Sequence, residues 1–149
     1  NPPFGSVLTN EAQNYIGKFE LQSQTSKIAL EIVGLERCIQ FLRENGKLAI
    51  VLPDSIFVNP SLEKVRNWIT TKVDVCAVIS LPIETFSPFG ANIKTSILFA
   101  KKTSSVIQGE VFMGELENIG YDSSGRSSDT NDIPMVEDEL LSFLNKRGW

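Results

Sequence analysis

Apolar residues recur at helical spacing in three stretches of the chain, and these stretches predict three helices. The first runs over residues 28–42 and ends at Asn45-Gly46, residues that tolerate left-handed backbone at a helix C-terminus. The second begins at Asn59-Pro60, because asparagine caps helices and proline suits their first turn. The third covers residues 133–146. The inner faces of the first two helices are defined by Ile28, Ile32, Leu35, Ile39, Leu42, Leu62, Val65 and Ile69.

Three further apolar runs predict β-strands. Residues 47–52 form a nearly continuous apolar run before Pro53, which is typical of a buried parallel strand that is covered on both faces. Residues 73–81 form a second strand, and residues 92–101 alternate as a third. Residues 106–113 either pair with the third strand or extend the sheet elsewhere. The alternation of helices and strands predicts an α/β fold with helices packed on a sheet.

Two segments lack a strong periodic pattern. Residues 5–27 are polar with scattered apolar positions, and we interpret them as a mobile loop. Residues 120–132 are mostly turn formers and small polar residues, which predicts a loop. We expect this loop to be mobile, since it offers little apolar surface to offset the entropy of ordering. We therefore predict a partial catalytic domain over residues 1–113, followed by an acidic loop and a terminal helix over residues 114–149.

Composition narrows the possible chemistry. The 149 residues include no histidine, which excludes Ser-His-Asp and Cys-His nucleophile schemes and most zinc sites, and we predict no metal site. Cys38 and Cys76 lie within apolar patterns, as expected for buried, reduced thiols of a cytosolic protein. The net charge of −4 is unevenly distributed: residues 1–102 carry 11 Lys/Arg and 9 Asp/Glu, and residues 103–149 carry 3 and 9. Only the first part could lie close to an anionic partner.

The segment Asn1-Pro2-Pro3-Phe4 is a strongly constrained stretch. Each proline fixes its own φ and holds the residue before it extended, so the carbonyl groups of Asn1 and Pro2 point in set directions. An amide side chain, a fixed carbonyl and an aromatic ring can together recognise a flat group that carries an amine. A loop that caps a strand is the simpler interpretation, and these four residues alone leave both open.

Several blocks of the sequence, in the same order, resemble the modification (M) subunit of type I restriction systems, which belongs to the N6-adenine DNA methyltransferases. The resemblance runs from Asn1 to about residue 145. It implies the C-terminal part of a Rossmann-like, class I S-adenosylmethionine-dependent methyltransferase domain, with a mixed sheet flanked by helices. The matching blocks are N-P-P-F (1–4), L-E-R-C-I-Q-F-L-R-E-N-G-K-L-A-I-V-L-P-D (35–54), K-T-S-I-L-F-A-K-K (94–102), V-F-M-G-E-L-E-N-I-G-Y-D (111–122) and N-D-I-P (131–134).

The resemblance implies a role for each residue of the first block. Enzymes of this family flip the target adenine out of the duplex and hold it in a pocket. The side-chain carbonyl of Asn1 and the backbone carbonyl of Pro2 would accept hydrogen bonds from the adenine amine, and Phe4 would stack on the base. These three are the predicted catalytic residues, and Pro3 is a predicted substrate-binding residue of the same segment.

A second aromatic residue covers the other face of the base in this family. We predict Phe99 in this role, with Phe86 and Phe89 as alternatives; a core position on a strand is an equally reasonable interpretation of Phe99. Lys101 and Lys102 could contact phosphate or simply end a strand in solvent. Asp54 follows a strand at its carboxyl end, and we expect it to cap the next turn rather than to join the site.

The implied cofactor of the full-length parent is S-adenosyl-L-methionine. Family members bind it at a glycine-rich turn upstream of N-P-P-F, and the single downstream candidate, residues 89–92, lacks G-x-G spacing. We therefore expect the chain to be the C-terminal part of a catalytic domain, inactive alone, with its cofactor-binding residues unknown.

The implied partners are duplex DNA and the specificity and restriction subunits of a type I system, in a bacterial or archaeal cytoplasm without a membrane partner. N-P-P-F/Y loops also occur in methyltransferases of protein glutamine or of RNA guanine, so these substrates are alternatives. A non-catalytic assembly module is another. The 94–102 block and the acidic downstream region favour the DNA substrate.

Overall fold

The computed structural model of the protein describes residues 1–6, 10–13, 19–21 and 29–149. Two sheets and their flanking helices account for most of the described chain. The helices are α1 (Asn10–Gln13), α2 (Leu30–Phe41), α3 (Ser55–Val58), α4 (Glu63–Lys72) and α5 (Ile133–Lys146), with 3₁₀ turns at Pro60–Leu62 and Ile83–Phe89. The strands are β1 (Lys47–Pro53), β2 (Asp74–Ser80), β3 (Thr95–Lys101), β4 (Phe112–Glu115), β5 (Ile119–Tyr121) and β6 (Ser127–Asn131).

The larger sheet has the strand order β1-β3-β2-β4. Strand β3 is antiparallel to both of its neighbours, whereas β4 extends the sheet by pairing in parallel with β2. The predicted mixed α/β fold is therefore confirmed, and residues 106–113 follow the second of the two predicted options. The predicted strand over 92–101 begins three residues later, at Thr95.

The prediction for residues 47–52 was wrong in two respects. Strand β1 pairs in an antiparallel manner with β3, and its side chains alternate between buried and exposed, with Lys47 and Ala49 exposed. An alanine and the aliphatic stem of a lysine are short or flexible enough to stand on a half-covered face, so an apolar run did not require two covered faces.

The sheet separates two apolar cores. On one face, β1 and β3 pack against α2, α3 and α4, with Leu35, Leu52 and Leu98 at most 1% exposed. On the other face, β2 and β3 pack against α5 and the start of β5 through Ile79, Leu116, Leu140 and others. The predicted helices are confirmed because each buries the apolar stripe that its spacing indicated, and the Asn59 side chain accepts a hydrogen bond from the Ser61 N–H at 2.9 Å.

A buried carboxylate fixes part of the segment that we predicted to be a mobile loop. The Glu36 side chain, 0% exposed, accepts hydrogen bonds from the N–H groups of Glu20 (2.6 Å) and Leu21 (3.0 Å). Phe19 and Leu21 are buried, so the loop prediction is wrong for residues 19–21 and for α1. The rest of that prediction, over 7–9, 14–18 and 22–27, lies outside the described residues.

The C-terminal end of α5 is attached to the sheet by an ion pair. The Arg147 guanidinium donates to both carboxylate oxygens of Asp74 at 2.9 and 3.1 Å, and also to the Val75 carbonyl at 3.2 Å. The side chains of Arg147 and Asp74 are only 19% and 15% exposed. Because β2 provides both acceptors, this contact holds α5 against the start of β2.

The sequence predicted a loop over residues 120–132, but β5 and β6 form an antiparallel hairpin there. The turn is held by the Asp122 carboxylate, which accepts from the N–H groups of Ser124 (2.8 Å) and Arg126 (3.0 Å). These local hydrogen bonds explain how a segment with so few apolar residues forms strands.

The hairpin is expected to open more readily than the large sheet, because all five residues of β6 are exposed. We expect amide hydrogen exchange at 127–131 to be at least tenfold faster than at β3, which is paired on both sides. Exchange measured by mass spectrometry on peptides from both strands tests this. Equal protection of β6 and β3 would contradict the expectation.

Both cysteines are free thiols; Cys76 is buried and Cys38 is half-buried. Burial raises the pKa of the Cys76 thiol to about 11, which keeps it protonated and unreactive at neutral pH.

In the described part of the chain, no helix has the length and apolar character needed to cross a membrane. The predicted boundary at residue 113 falls inside β4, which pairs with β2, and α5 packs on the same sheet.

Candidate active site

The Asn1–Phe4 segment lies against the N-terminal half of α2. The Leu30 N–H donates to the Ser6 carbonyl at 2.9 Å, which ties the segment to the start of the helix. Pro2 packs against Gly34, where a Cβ atom would come within 3.0 Å of the Pro2 Cβ. A side chain at position 34 would require Pro2 to shift by a few tenths of an ångström, which is a reason for a glycine inside this helix.

Phe4 forms an edge-to-face ring pair with Phe86. The ring centroids are 6.0 Å apart and the ring planes meet at 72°. Phe86 belongs to the 3₁₀ helix 83–89, which follows β2 after Leu81-Pro82. The contact therefore brings the Asn1–Phe4 segment to the carboxyl end of β2, the edge at which open α/β sheets bind ligands.

The 3₁₀ helix 83–89 is fixed from the opposite side by the hairpin. The Tyr121 hydroxyl donates to the Thr85 carbonyl at 2.8 Å, and the Thr85 hydroxyl donates to the Pro82 carbonyl at 2.7 Å. The helix ends at Gly90, whose φ of +82° suits glycine. Phe86 is thus presented to Phe4 from a supported element.

Two buried side-chain oxygens of the described residues lack a hydrogen-bond partner, and both lie close to this edge. They are the Thr95 Oγ1, on a residue that is 0% exposed, and the Glu31 Oε2, on a residue that is 9% exposed. Thr95 is paired with Pro53 and accepts from the Leu81 N–H, so it lies between the carboxyl ends of β1 and β2. Glu31 follows Leu30, which binds Ser6. Unpaired buried polar atoms are uncommon, and a catalytic role or a bound water or ion is among the explanations for them.

The predicted residues are not all brought together. Asn1 and Pro3 are exposed, and Pro2 and Phe4 are half-buried. Phe99 lies elsewhere: its ring contacts Trp149 at 6.3 Å on the face that α5 covers. Among the three aromatic candidates, Phe86 is the one that contacts Phe4.

The remaining candidates have structural partners. Lys101 and Lys102 donate to the carbonyls of Gly148 (2.8 Å) and Ile39 (3.3 Å), at the end of β3 that faces away from the Asn1–Phe4 segment. Asp54 is the N-cap residue of α3, but its side chain makes no capping hydrogen bond. Its carboxylate instead accepts a hydrogen bond from the Ser96 hydroxyl at 2.7 Å. This hydrogen bond fixes the turn after β1.

A family model for N-6 DNA methylases matches residues 1–143. The chain belongs to the N-6 DNA methylase family. The predicted resemblance to N6-adenine DNA methyltransferases is therefore confirmed, and it places the N-P-P-F segment at the start of the matched region. A comparison with curated protein sequences gave no match.

Several solved structures share the fold of this chain. A protein from Listeria monocytogenes that is assigned to the class I S-adenosylmethionine-dependent methyltransferases has a TM-score of 0.69 and 22% identity, over 92% of this chain and 40% of its own. The modification subunit assigned to a type I restriction enzyme of Vibrio vulnificus YJ016 has a TM-score of 0.70 and 19% identity, over 99% and 30%. The M protein of the type I restriction enzyme EcoKI has a TM-score of 0.53 and 18% identity, over 72% and 24%.

The chain thus spans between about a quarter and two-fifths of the length of these structures. The class I methyltransferase fold is shown by the mixed sheet and by these likenesses. Sequence reasoning missed Gly34 and placed Phe86 only among the alternatives. For Gly34, the available signal in the sequence was an isolated glycine within a helical pattern.

Proposed function

We propose that residues 1–149 form the C-terminal part of the catalytic domain of a type I modification subunit, which transfers a methyl group to the N6 atom of adenine in DNA. The observation that carries the proposal is the contact between Phe4 of the N-P-P-F segment and Phe86 at the carboxyl edge of the sheet. This contact supports the proposal because it brings the segment that carries Asn1 and Pro2 to that edge of the sheet.

Asn1 and Pro2 act on the amine of the flipped adenine. Their carbonyl oxygens accept its two N–H hydrogens, which draws electron density onto the nitrogen and directs its lone pair towards the methyl donor. Asn1 is exposed, and its side chain makes no hydrogen bond within the described residues, so the amide is available to substrate. Because the nitrogen gains positive charge as the new bond forms, these acceptors bind the transition state more tightly than the ground state.

Phe4 and Phe86 hold the base between them. A flat base between two parallel rings needs about 7 Å from one ring to the other, since each contact takes about 3.5 Å. The present separation of the centroids is 6.0 Å with the rings edge-on, so a small outward movement and a side-chain rotation admit the base. This arrangement favours Phe86 over Phe99 as the second aromatic residue.

The reaction needs S-adenosylmethionine, which supplies an activated methyl group when it is bound. The residues described do not form a cradle for it. Their glycines with positive φ lie at positions 5, 90, 120, 125 and 148, and none of these is a turn that leads from a strand into an α-helix of eight or more residues. We therefore assign none of the described residues to the cofactor.

Duplex DNA and the specificity and restriction subunits of a type I system are the proposed partners. The likeness to modification subunits from two type I enzymes supports this proposal. A separate specificity subunit would provide the recognition of DNA sequence.

Transfer of tritiated methyl groups by the full-length protein with its specificity subunit tests the proposed function. We expect labelling of duplex DNA at adenine N6, and none of ribosomal RNA or of a release factor. Label in RNA or protein instead of DNA would replace the proposal with one of the alternatives. No transfer to any of the three would favour the non-catalytic module.

A Phe86→Ala substitution tests the assignment of the second ring. Loss of one base-stacking contact costs about 1–3 kcal/mol, so we expect methylation to slow about five- to 150-fold in single turnover. Phe99→Ala is the matched control, because this ring packs in the core against Trp149. It should lower thermal stability while the folded fraction keeps its rate. The reverse pattern would restore Phe99 as the stacking residue.

A further inference from the structure

The 3₁₀ helix 83–89 carries a ridge of large apolar side chains. It is seven residues long, whereas 3₁₀ helices longer than three or four residues are uncommon. With three residues per turn, side chains at i and i+3 lie on the same side. Ile83, Phe86 and Phe89 follow this spacing and form the ridge.

Exposure differs along the ridge, and Ile83 at its start is 47% exposed. Phe86 is half-buried against Phe4, whereas the next member, Phe89, is 79% exposed. A single exposed aromatic ring is unremarkable in itself. Phe89, however, projects from the 3₁₀ helix that the Tyr121 hydroxyl binds. Gly125 also packs against Pro88, so closely that a Cβ atom on Gly125 would lie 3.3 Å from the Pro88 Cβ. The exposed ring is therefore carried by a supported backbone.

We propose that Phe89 stacks on a DNA base next to the position that the target adenine leaves, and so stabilises the flipped state. This inference rests on the proposed function. Three residues of a 3₁₀ helix advance about 6 Å, so Phe89 stands too far from Phe86 to share the same flipped base. It is placed instead to meet the duplex from which the base came.

Base flipping explains why an aromatic ring is useful there. Extrusion of a base removes stacking from its two neighbours, which is part of the free-energy cost of flipping. Any base offers a π-face to an aromatic side chain, and apolar wedges between base steps are common in proteins that distort DNA. An exposed Phe89 can therefore replace part of the lost stacking without reading the sequence.

The experiment compares two duplexes in single-turnover methylation by the full-length enzyme with its specificity subunit. The target site is first defined by sequencing methylated adenines in DNA from cells that produce the enzyme. One duplex is fully paired, and the other has a mismatch opposite the target adenine, which makes flipping easier. We expect Phe89→Ala to slow methylation of the paired duplex about tenfold and to approach the wild-type rate on the mismatched one. Phe89→Tyr, which keeps the ring, should retain the wild-type rate on both.

Phe41→Ala is the control, because Phe41 is similarly exposed (78%) but ends α2 at the opposite edge of the sheet. It should match the wild type on both duplexes. A wild-type rate for Phe89→Ala on the paired duplex, or an equal loss on both duplexes, would overturn the inference while the proposed function stands. A wild-type enzyme that methylates no adenine would instead overturn the proposed function, and this inference with it.

Discussion

Replacing Asn1 with alanine in the full-length enzyme should slow single-turnover methylation at least a hundredfold and leave DNA affinity nearly unchanged. The Asn1 carbonyl is proposed to bind an amine whose charge grows in the transition state, and loss of such an interaction costs about 3 kcal/mol. DNA affinity depends mainly on phosphate contacts, which this residue does not make in the proposed arrangement. Asn1 is exposed, so its replacement should not destabilise the fold.

Asn1→Asp is the matched variant for this prediction. A carboxylate keeps an acceptor at the same position, so the loss of rate should be smaller than with alanine. Turnover, DNA binding and thermal unfolding would be measured on the same preparations. A stable Asn1→Ala enzyme that turns over at nearly the normal rate would end the catalytic assignment, and a loss of stability in parallel with rate would indicate that the asparagine only caps its loop.

The second large effect is expected for Arg147→Ala, which should weaken the attachment of α5 to the sheet by about 3 kcal/mol. The substitution leaves the Asp74 carboxylate, 15% exposed, without its bidentate partner, and removing one member of a buried ion pair is costly for this reason. Hydrogen exchange of peptides from α5 in the full-length protein should become about a hundredfold faster.

Two variants test the cause of that effect. Lys94→Ala removes an ion pair with Glu115 whose side chains are 47% and 65% exposed, and it should cost at most about 1 kcal/mol. A double variant, Asp74→Asn with Arg147→Met, removes both charges and should exchange more slowly than Arg147→Ala alone. Identical exchange in Arg147→Ala and the wild type would show that the ion pair contributes nothing to the packing of α5.

The sequence allowed the helices to be predicted because each of them buries one stripe, and a stripe has a period that can be read. It did not specify the direction of β1, since an apolar run fits a parallel or an antiparallel neighbour equally well. The 120–132 hairpin was missed for a different reason. Its turn is held by hydrogen bonds that the Ser124 and Arg126 N–H groups donate to the Asp122 carboxylate, and its strands show no apolar alternation.

The site was predictable only in part. The Asn1–Phe4 segment could be identified as a motif, because its four residues are adjacent in the chain. The proposed second ring, Phe86, lies more than eighty positions later, and the sequence favoured Phe99 instead, with Phe86 and Phe89 as alternatives. The choice depends on which residues follow β2 into a 3₁₀ helix, and that geometry arises only from the tertiary fold.

Gly34 lowers the stability of helix α2 but allows the close packing of Pro2 against it. An alanine there would favour helix α2 by about 1 kcal/mol, and a search for stabilising substitutions would select it early. Its methyl group would nevertheless meet Pro2 at 3.0 Å and displace the segment that holds Asn1. A Gly34→Ala substitution chosen for heat resistance would therefore press on the segment to which we assign the proposed catalytic role, so that thermal stability and the proposed activity would be in conflict at this position.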